Sequence, residues 1–191
     1  MYKLKSAIIL KDRIFIPDYD SHSQMLEELN IADTRENAER LFVRAELSPA
    51  NGDVFTPVDE WVFKVDQDIR PDWFVENYEK ERMISAVKEW AKGHIHIGVN
   101  GLKISSGSGH YIKGCKDVEI CGNSTIENVY GNSTIKNVCG NSVIIGSPYG
   151  WRNKDKFIIS ENATFKDNQA KIIYQAGDWE VRLIDKEKSN V

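Results

Sequence analysis

The chain opens on two apolar runs, residues 2–10 and 13–16, separated by Lys11-Asp12. Two such runs around a short polar turn predict a β-hairpin, ended by Pro17, whose ring removes a backbone donor. Met25, Leu26 and Leu29 then fall on one face of a short helix over about 22–29, with Asp20 or Ser21 as its cap. Thr34, with Asn37 and Glu39, starts a second, weaker helical turn. Period two returns over residues 41–47 and again in Trp61–Val65, so both segments read as strands. Between them, Asn51-Gly52 marks a turn over 49–53, and the two strands are expected to pair across a long connection. The strongest helical pattern covers 78–92, where Met83, Ile84, Val87, Trp90 and Ala91 share a stripe with Glu, Lys and Arg opposite. Asn77 is its expected N-cap and Gly93 its left-handed C-cap.

Beyond residue 98 the pattern changes to a repeat. GNSTIENVY begins at Gly122, GNSTIKNVC at Gly131 and GNSVIIGSP at Gly140, a period of nine. A degenerate copy over 114–121 is one residue short, and another starts at Glu161 as ENATF. A strand of five or six residues plus a Gly-Asn corner uses all nine positions. One such unit cannot enclose a core, but two can, which predicts coils of about eighteen residues stacked with parallel strands about 4.8 Å apart. Ile126, Ile135 and Ile144 hold one phase and Val129 and Val138 another, and both sets should point inward. Glycine permits the corner conformation, and stacked asparagines bond to each other. The three N-x-Ser/Thr sequons, at Asn123, Asn132 and Asn162, are therefore read as solenoid corners.

The predicted fold is an α+β N-terminal domain (1–98) followed by a short parallel β-solenoid, or β-helix, with its terminal cap (99–191). The solenoid itself should run over about 99–183. The head is expected to cap the near end, and residues 170–183, with Trp179, the far end. Coil length has a sharp consequence. Cys121 and Cys139 should lie in adjacent coils with Cα atoms about 4.8 Å apart, and Tyr130 should lie on the opposite sheet. Because parallel side chains in register point the same way, the expectation is two stacked free thiols rather than a bridge.

The segment FVRAELSPANGD…VDEWVFKVDQDIRPDWF over 42–74, the helix ending VKEWAKGHIHIG and the tandem GNSTI units together resemble a family of uncharacterised proteins from phages and gut bacteria. The resemblance covers most of the chain and implies no particular activity. A phage setting would imply a small effector or inhibitor of a host system, or a virion accessory protein.

Lys plus Arg number 25 and Asp plus Glu 29, for a net charge of −4. That argues against general nucleic-acid binding, which wants a basic face. No apolar run reaches the roughly 20 residues of a membrane span. Three cysteines without a secretion signal fit a cytoplasmic protein. The repeat has one glycine and no aspartate per unit, unlike the calcium-binding nonapeptide, and Thr125 and Thr134 are too few for an ice-binding ladder. No Ser-His-Asp, Cys-His, P-loop or dinucleotide signature is present, and no cofactor or metal is expected. His94 and His96, with His110 as a possible third donor, are weak metal-ligand candidates, and the first two are more simply read as a polar strand face alternating with Ile95 and Ile97. Asp66, Asp68 and Glu46 read as solvated charges. The Ser106–Gly109 stretch, SGSG, offers at most a weak anion nest.

The most suggestive feature is an interruption of the repeat after Gly146 by SPYGWRNKDKF. Insertions in solenoids become loops on a binding face, and this one carries Tyr149, Trp151, Arg152, Lys154 and Lys156, types that dominate recognition surfaces. The leading expectation is a non-enzymatic, homo-oligomeric binding or scaffolding protein that occupies a host protein or a small charged ligand. The alternatives are a nucleotide-sequestering protein, with Arg152 on phosphate, and a carbohydrate-active or carbohydrate-binding β-helix. For the last, the matching repeat positions Glu127, Lys136 and Ile145 form no cluster.

Overall fold

The computed structural model describes residues 5–146, 158–159, 163–167 and 172–175. The chain divides into two compact units, Met1–Ile97 and Gly98–Val191. No helix among the described residues is long and apolar enough to cross a membrane.

In the first unit the order is β1 (Lys5–Leu10), β2 (Ile14–Phe15), α1 (His22–Glu28), α2 (Arg35–Arg40), β3 (Phe42–Pro49), a 3₁₀ turn at Val58–Glu60, β4 (Trp61–Val65) and α3 (Glu76–His94). The sheet is antiparallel in the order β2-β1-β3-β4. The first two strands form the expected hairpin, and β3 pairs with β4 as the alternation predicted. All six residues of β1 are buried, which requires cover on both faces of the sheet. On one face Ile8, Leu10 and Phe42 pack with Met25, Leu26 and Ala38 of α1 and α2. Ala7, Ile9, Val43, Ala45 and Leu47 are buried on the other, where α3 contacts β1 and contributes Met83 and Val87 to the buried set. Burying a side chain such as Phe42 stabilises the unit by about 1.5–3 kcal/mol.

Two helix starts follow the sequence closely. The Ser21 hydroxyl accepts from the Gln24 amide, and Thr34 does the same for Asn37, satisfying one orphan donor in each first turn. Helix α3 departs from expectation at both ends. It begins at Glu76 after Val75, which makes no side-chain cap. Glu76 and Glu79 place negative charge against the exposed amides there, an electrostatic substitute for an Asn77 cap. Its C-terminus passes through Gly93 to His94, and the Ile95 amide still donates to Ala91. The chain runs straight into the next strand, so no left-handed reversal is needed at Gly93.

From residue 95 to 166 the chain forms a β-solenoid of about three turns, about 17 residues each. Its strands are β5 (Ile95–Ile97), β6 (Lys103–Ile104), β7 (His110–Lys113), β8 (Val118–Ile120), β9 (Thr125–Tyr130), β10 (Ile135–Val138), β11 (Val143–Gly146), β12 (Ile158–Ile159) and β13 (Thr164–Asp167), followed by β14 (Ile172–Gln175). Successive strands alternate between two sheets, β12-β10-β8-β6 and β14-β13-β11-β9-β7-β5. Each nine-residue unit is therefore half a coil. Where the repeat is intact the offset is eighteen, as in Ile126 beside Ile144 and Ile120 beside Val138. In the first coil it is sixteen, as in Ile104 beside Ile120, of which the eight-residue unit over 114–121 accounts for one of the two missing residues. Register shifts between His110 and Tyr111 and between Ile135 and Asn137 bring the offset to seventeen and then to eighteen.

The inward rows are those the repeat phase predicted. Ile126, Val129, Ile135, Val138 and Ile144 are buried in one core with Ile112, Val118, Ile120, Ala163 and Phe165. The corners are closed by serine. Ser124, Ser133 and Ser142 are buried, and each donates to the carbonyl three residues back, on Cys121, Tyr130 and Cys139, at 2.6–2.7 Å. Bonds run between coils as well: the Cys115 amide donates to Ser133 Oγ and the Asp117 amide to Thr134 Oγ1. Asn141 Nδ2 donates to Asn123 Oδ1 at 3.0 Å, a rung of the expected asparagine ladder.

Cys121 and Cys139 lie in adjacent coils with Cα atoms 4.6 Å apart, and Tyr130 belongs to the other sheet. Their sulfurs are joined in a disulfide, which corrects the expectation of free thiols. Both residues lie just past the ends of β8 and β10. The backbone ladder continues through their amides, Cys121 donating to the Ile104 carbonyl and Cys139 to that of Ile120, and their Cα separation lies within the range a disulfide spans. Cys115 is buried and outside the bridge. At the far end β14 pairs antiparallel with β13, a reversal the sequence did not reveal.

Candidate functional site

Tyr149, Trp151, Arg152 and Lys154, with Lys156, lie outside the described residues. What the structure gives is the frame around them. Across the interruption the coil offset rises to twenty-one, with Asn137 beside Ile158 and Ile144 beside Phe165. The repeat resumes with Ala163 and Phe165 buried, so the interruption is accommodated without loss of the core phase.

The three histidines have local partners. His94 stacks on Trp90 with ring centroids 4.6 Å apart, its Nδ1 is 2.7 Å from the Trp90 carbonyl, and its Nε2 is 3.2 Å from Asp18. This cluster also holds Lys5, buried with its ammonium 4.7 Å from the Trp90 ring centre. Lys5 Nζ donates to the Pro17 carbonyl, and burial pushes its pKa down, partly offset by Asp20 and Asp18. His96 is half-buried in β5. His110 sits opposite Ile126 in an inward row, with Nε2 3.0 Å from the Ser106 carbonyl. The Ser106–Gly109 stretch is thus a solenoid corner held by His110 and by a Thr125 amide that donates to the Gly107 carbonyl.

On the outer face of β6, β8 and β10, Glu119 sits between Lys103 and Lys136 at 3.1 and 3.0 Å. The hydrogen bond from Lys136, then that from Lys103, holds its carboxyl below the usual carboxylate range, and Lys136 is raised for the same reason. A carboxylate whose folded pKa is depressed stabilises above its unfolded value and loses that contribution as pH falls through the folded one. The melting-temperature difference between wild type and Glu119→Gln is therefore expected at neutral pH and should shrink as pH falls below the ordinary Glu value of about 4.3, vanishing only below the lower folded one. A difference that persists unchanged at acid pH would exclude the ladder as its origin.

Among the described residues, one group of three potential metal-ligating side chains lies with its ligand atoms within 4.8 Å of one another: His22, Glu46 and Asp66. His22 is the first residue of α1, Glu46 lies in β3, and Asp66 follows β4. Cross-strand pairing brings Glu46 opposite Lys64, and the Asp66 amide donates to the Arg44 carbonyl, so the ladder fixes the backbone from which both carboxylates extend. The sequence singled out Glu46 and Asp66 but not His22, whose position beside them depends on how α1 packs on the sheet. The one local signal was its place directly after the Ser21 cap.

Comparison with family models, with curated proteins and with solved structures finds no match for this chain.

Proposed function

We propose that this is a non-enzymatic binding or scaffolding protein that presents a rigid solenoid surface to a protein or small charged ligand. The supporting observation is the way the solenoid uses its polar groups. Corner serines fix each turn, and the Cys115–Ser133 bond, the Asn123–Asn141 rung and the Cys121–Cys139 bond tie coil to coil. Outward rows then stand at the strand spacing of about 4.8 Å. A surface fixed in this way loses little conformational entropy on binding, which favours recognition. The interruption with Tyr149, Trp151, Arg152 and Lys154 supplies the recognition residues, and the protein acts as a homo-oligomer in the cytoplasm. The resemblance to phage and gut-bacterial proteins fits an effector or inhibitor that acts by occupancy.

The test is a triple replacement of Tyr149, Trp151 and Arg152 by alanine. Partner capture from the host should be lost while the melting temperature stays within a few degrees of wild type. A packing role for the aromatics would instead cost about 3–5 kcal/mol each. Strong destabilisation with undiminished capture per folded molecule would overturn the reading. So would thermal stabilisation by nucleotides alone that survives the replacement.

A further inference from the structure

We propose that His22 Nδ1 and carboxylate oxygens of Glu46 and Asp66 form a binding site for one divalent first-row transition ion of the zinc class, its remaining positions filled by water. The first argument is the tautomer of His22. Its Nε2 lies 3.2 Å from the Ala45 carbonyl oxygen. A carbonyl only accepts, so Nε2 carries a proton, and Nδ1 is the ring nitrogen turned towards the carboxylates, where its lone pair can serve a metal ion. A backbone carbonyl that fixes the far ring nitrogen is the usual device that orients a metal-ligating histidine.

Spacing is the second argument. Nδ1 lies 3.4 Å from Asp66 Oδ2. Bonds of about 2.0–2.2 Å from a tetrahedral ion set neighbouring ligand atoms about 3.3–3.6 Å apart. The histidine and aspartate thus already stand at the separation that an ion between them would impose. All three ligand atoms lie within 4.8 Å of one another, so Glu46 closes by a side-chain rotation, without backbone movement. The histidine side chain is only 11% exposed, against 24% for Glu46 and 44% for Asp66. The nitrogen ligand is therefore preset and the oxygens adapt.

Ligand chemistry chooses the ion. Calcium and magnesium take oxygen ligands, whereas one imidazole with two carboxylates suits zinc and its first-row neighbours. Three protein ligands leave a position open. The resident competitor is Lys64, whose ammonium lies 3.9 Å from Glu46 Oε2 and 3.7 Å from Asp66 Oδ1. Those separations are too long for hydrogen bonds, and the lysine side chain is largely exposed. It balances charge and is free to swing away.

Cobalt(II) is the probe, because its visible absorption reports coordination directly, with zinc as competitor and the full chain stripped by chelator beforehand. One cobalt per chain should bind, displaced by zinc but not by magnesium or calcium. His22→Ala and Asp66→Asn should weaken binding by about tenfold or more with unchanged far-UV circular dichroism. Lys64→Met should tighten it severalfold, a gain that misfolding cannot imitate. Absence of cobalt binding at about 100 μM, weak even for a micromolar-class site, would overturn the proposal. Undiminished affinity in folded His22→Ala would do the same, and so would weaker binding in Lys64→Met.

Discussion

Gly122→Ala is expected to destabilise the solenoid by roughly 2–5 kcal/mol, whereas Gly131→Ala, at the same place in the next repeat, should cost only about 1–2 kcal/mol. Both glycines have positive φ, +67° and +63°, so both variants pay for a left-handed alanine. Only the first also meets its neighbour. A Cβ on Gly122 would lie 2.1 Å from the Ser105 carbonyl oxygen, backbone of the adjacent coil, while the nearest atom to one on Gly131 is the Gly114 nitrogen at 3.5 Å. Gly140 repeats the tight case, 2.5 Å from the Gly122 oxygen. Every second corner is thus a backbone-to-backbone contact that no side chain fits. Urea unfolding followed by circular dichroism should separate the two variants clearly. Equal losses would mean that coils do not approach closely at Gly122.

Reduction of the Cys121–Cys139 bond is expected to lower the stability of the solenoid by about 3 kcal/mol, the loop-closure entropy of a link of this span. The span is 18 residues, one coil. Wild type should unfold at lower urea with reductant than without. Cys139→Ser should already unfold at the lower concentration and ignore the reductant. Identical curves for oxidised and reduced wild type would show that the link contributes nothing. The same chemistry bears on the compartment. Alkylation of protein taken straight from its host should label both cysteines if the cytoplasmic reading holds, because cytosolic thiols are kept reduced. A pair protected from alkylation would move the protein to an oxidising compartment.

The solenoid was legible because its information is periodic. A nine-residue unit with one apolar phase fixes which side chains enter the core and, through coil closure, which residues stack. Ile126 over Ile144 follows from that alone. Capping residues were legible for the same local reason, at Ser21 and Thr34. The ends of α3 were not, since Asn77 and Gly93 are good caps that the helix passes over, and charge and an immediate strand decide instead. Nothing in the spacing around His110 showed that its register opposite Ile126 turns it inward. The His22, Glu46 and Asp66 group depends on pairing between β3 and β4 and on helix packing across them. No spacing within the chain encodes such convergence. Cys121 and Cys139 were stacked correctly by coil length, and the bond was missed because side chains in register were expected to stay apart, although a Cα separation of one strand spacing is within reach of a disulfide.

Because one repeat is half a coil, repeat number acts as a parity counter. Duplicating the 18 residues from Gly122 to Cys139 would lengthen the stack by one rung of about 4.8 Å and leave every later strand on its own sheet. Duplicating nine would add half a rung and exchange the sheets of everything downstream, so that β11 and β13 would trade sides with β12. Residues entering after Gly146 would then leave from the opposite flank. A lineage of such chains can therefore grow by pairs of repeats at constant presentation. A single added repeat turns the whole downstream display around without altering one side chain in it.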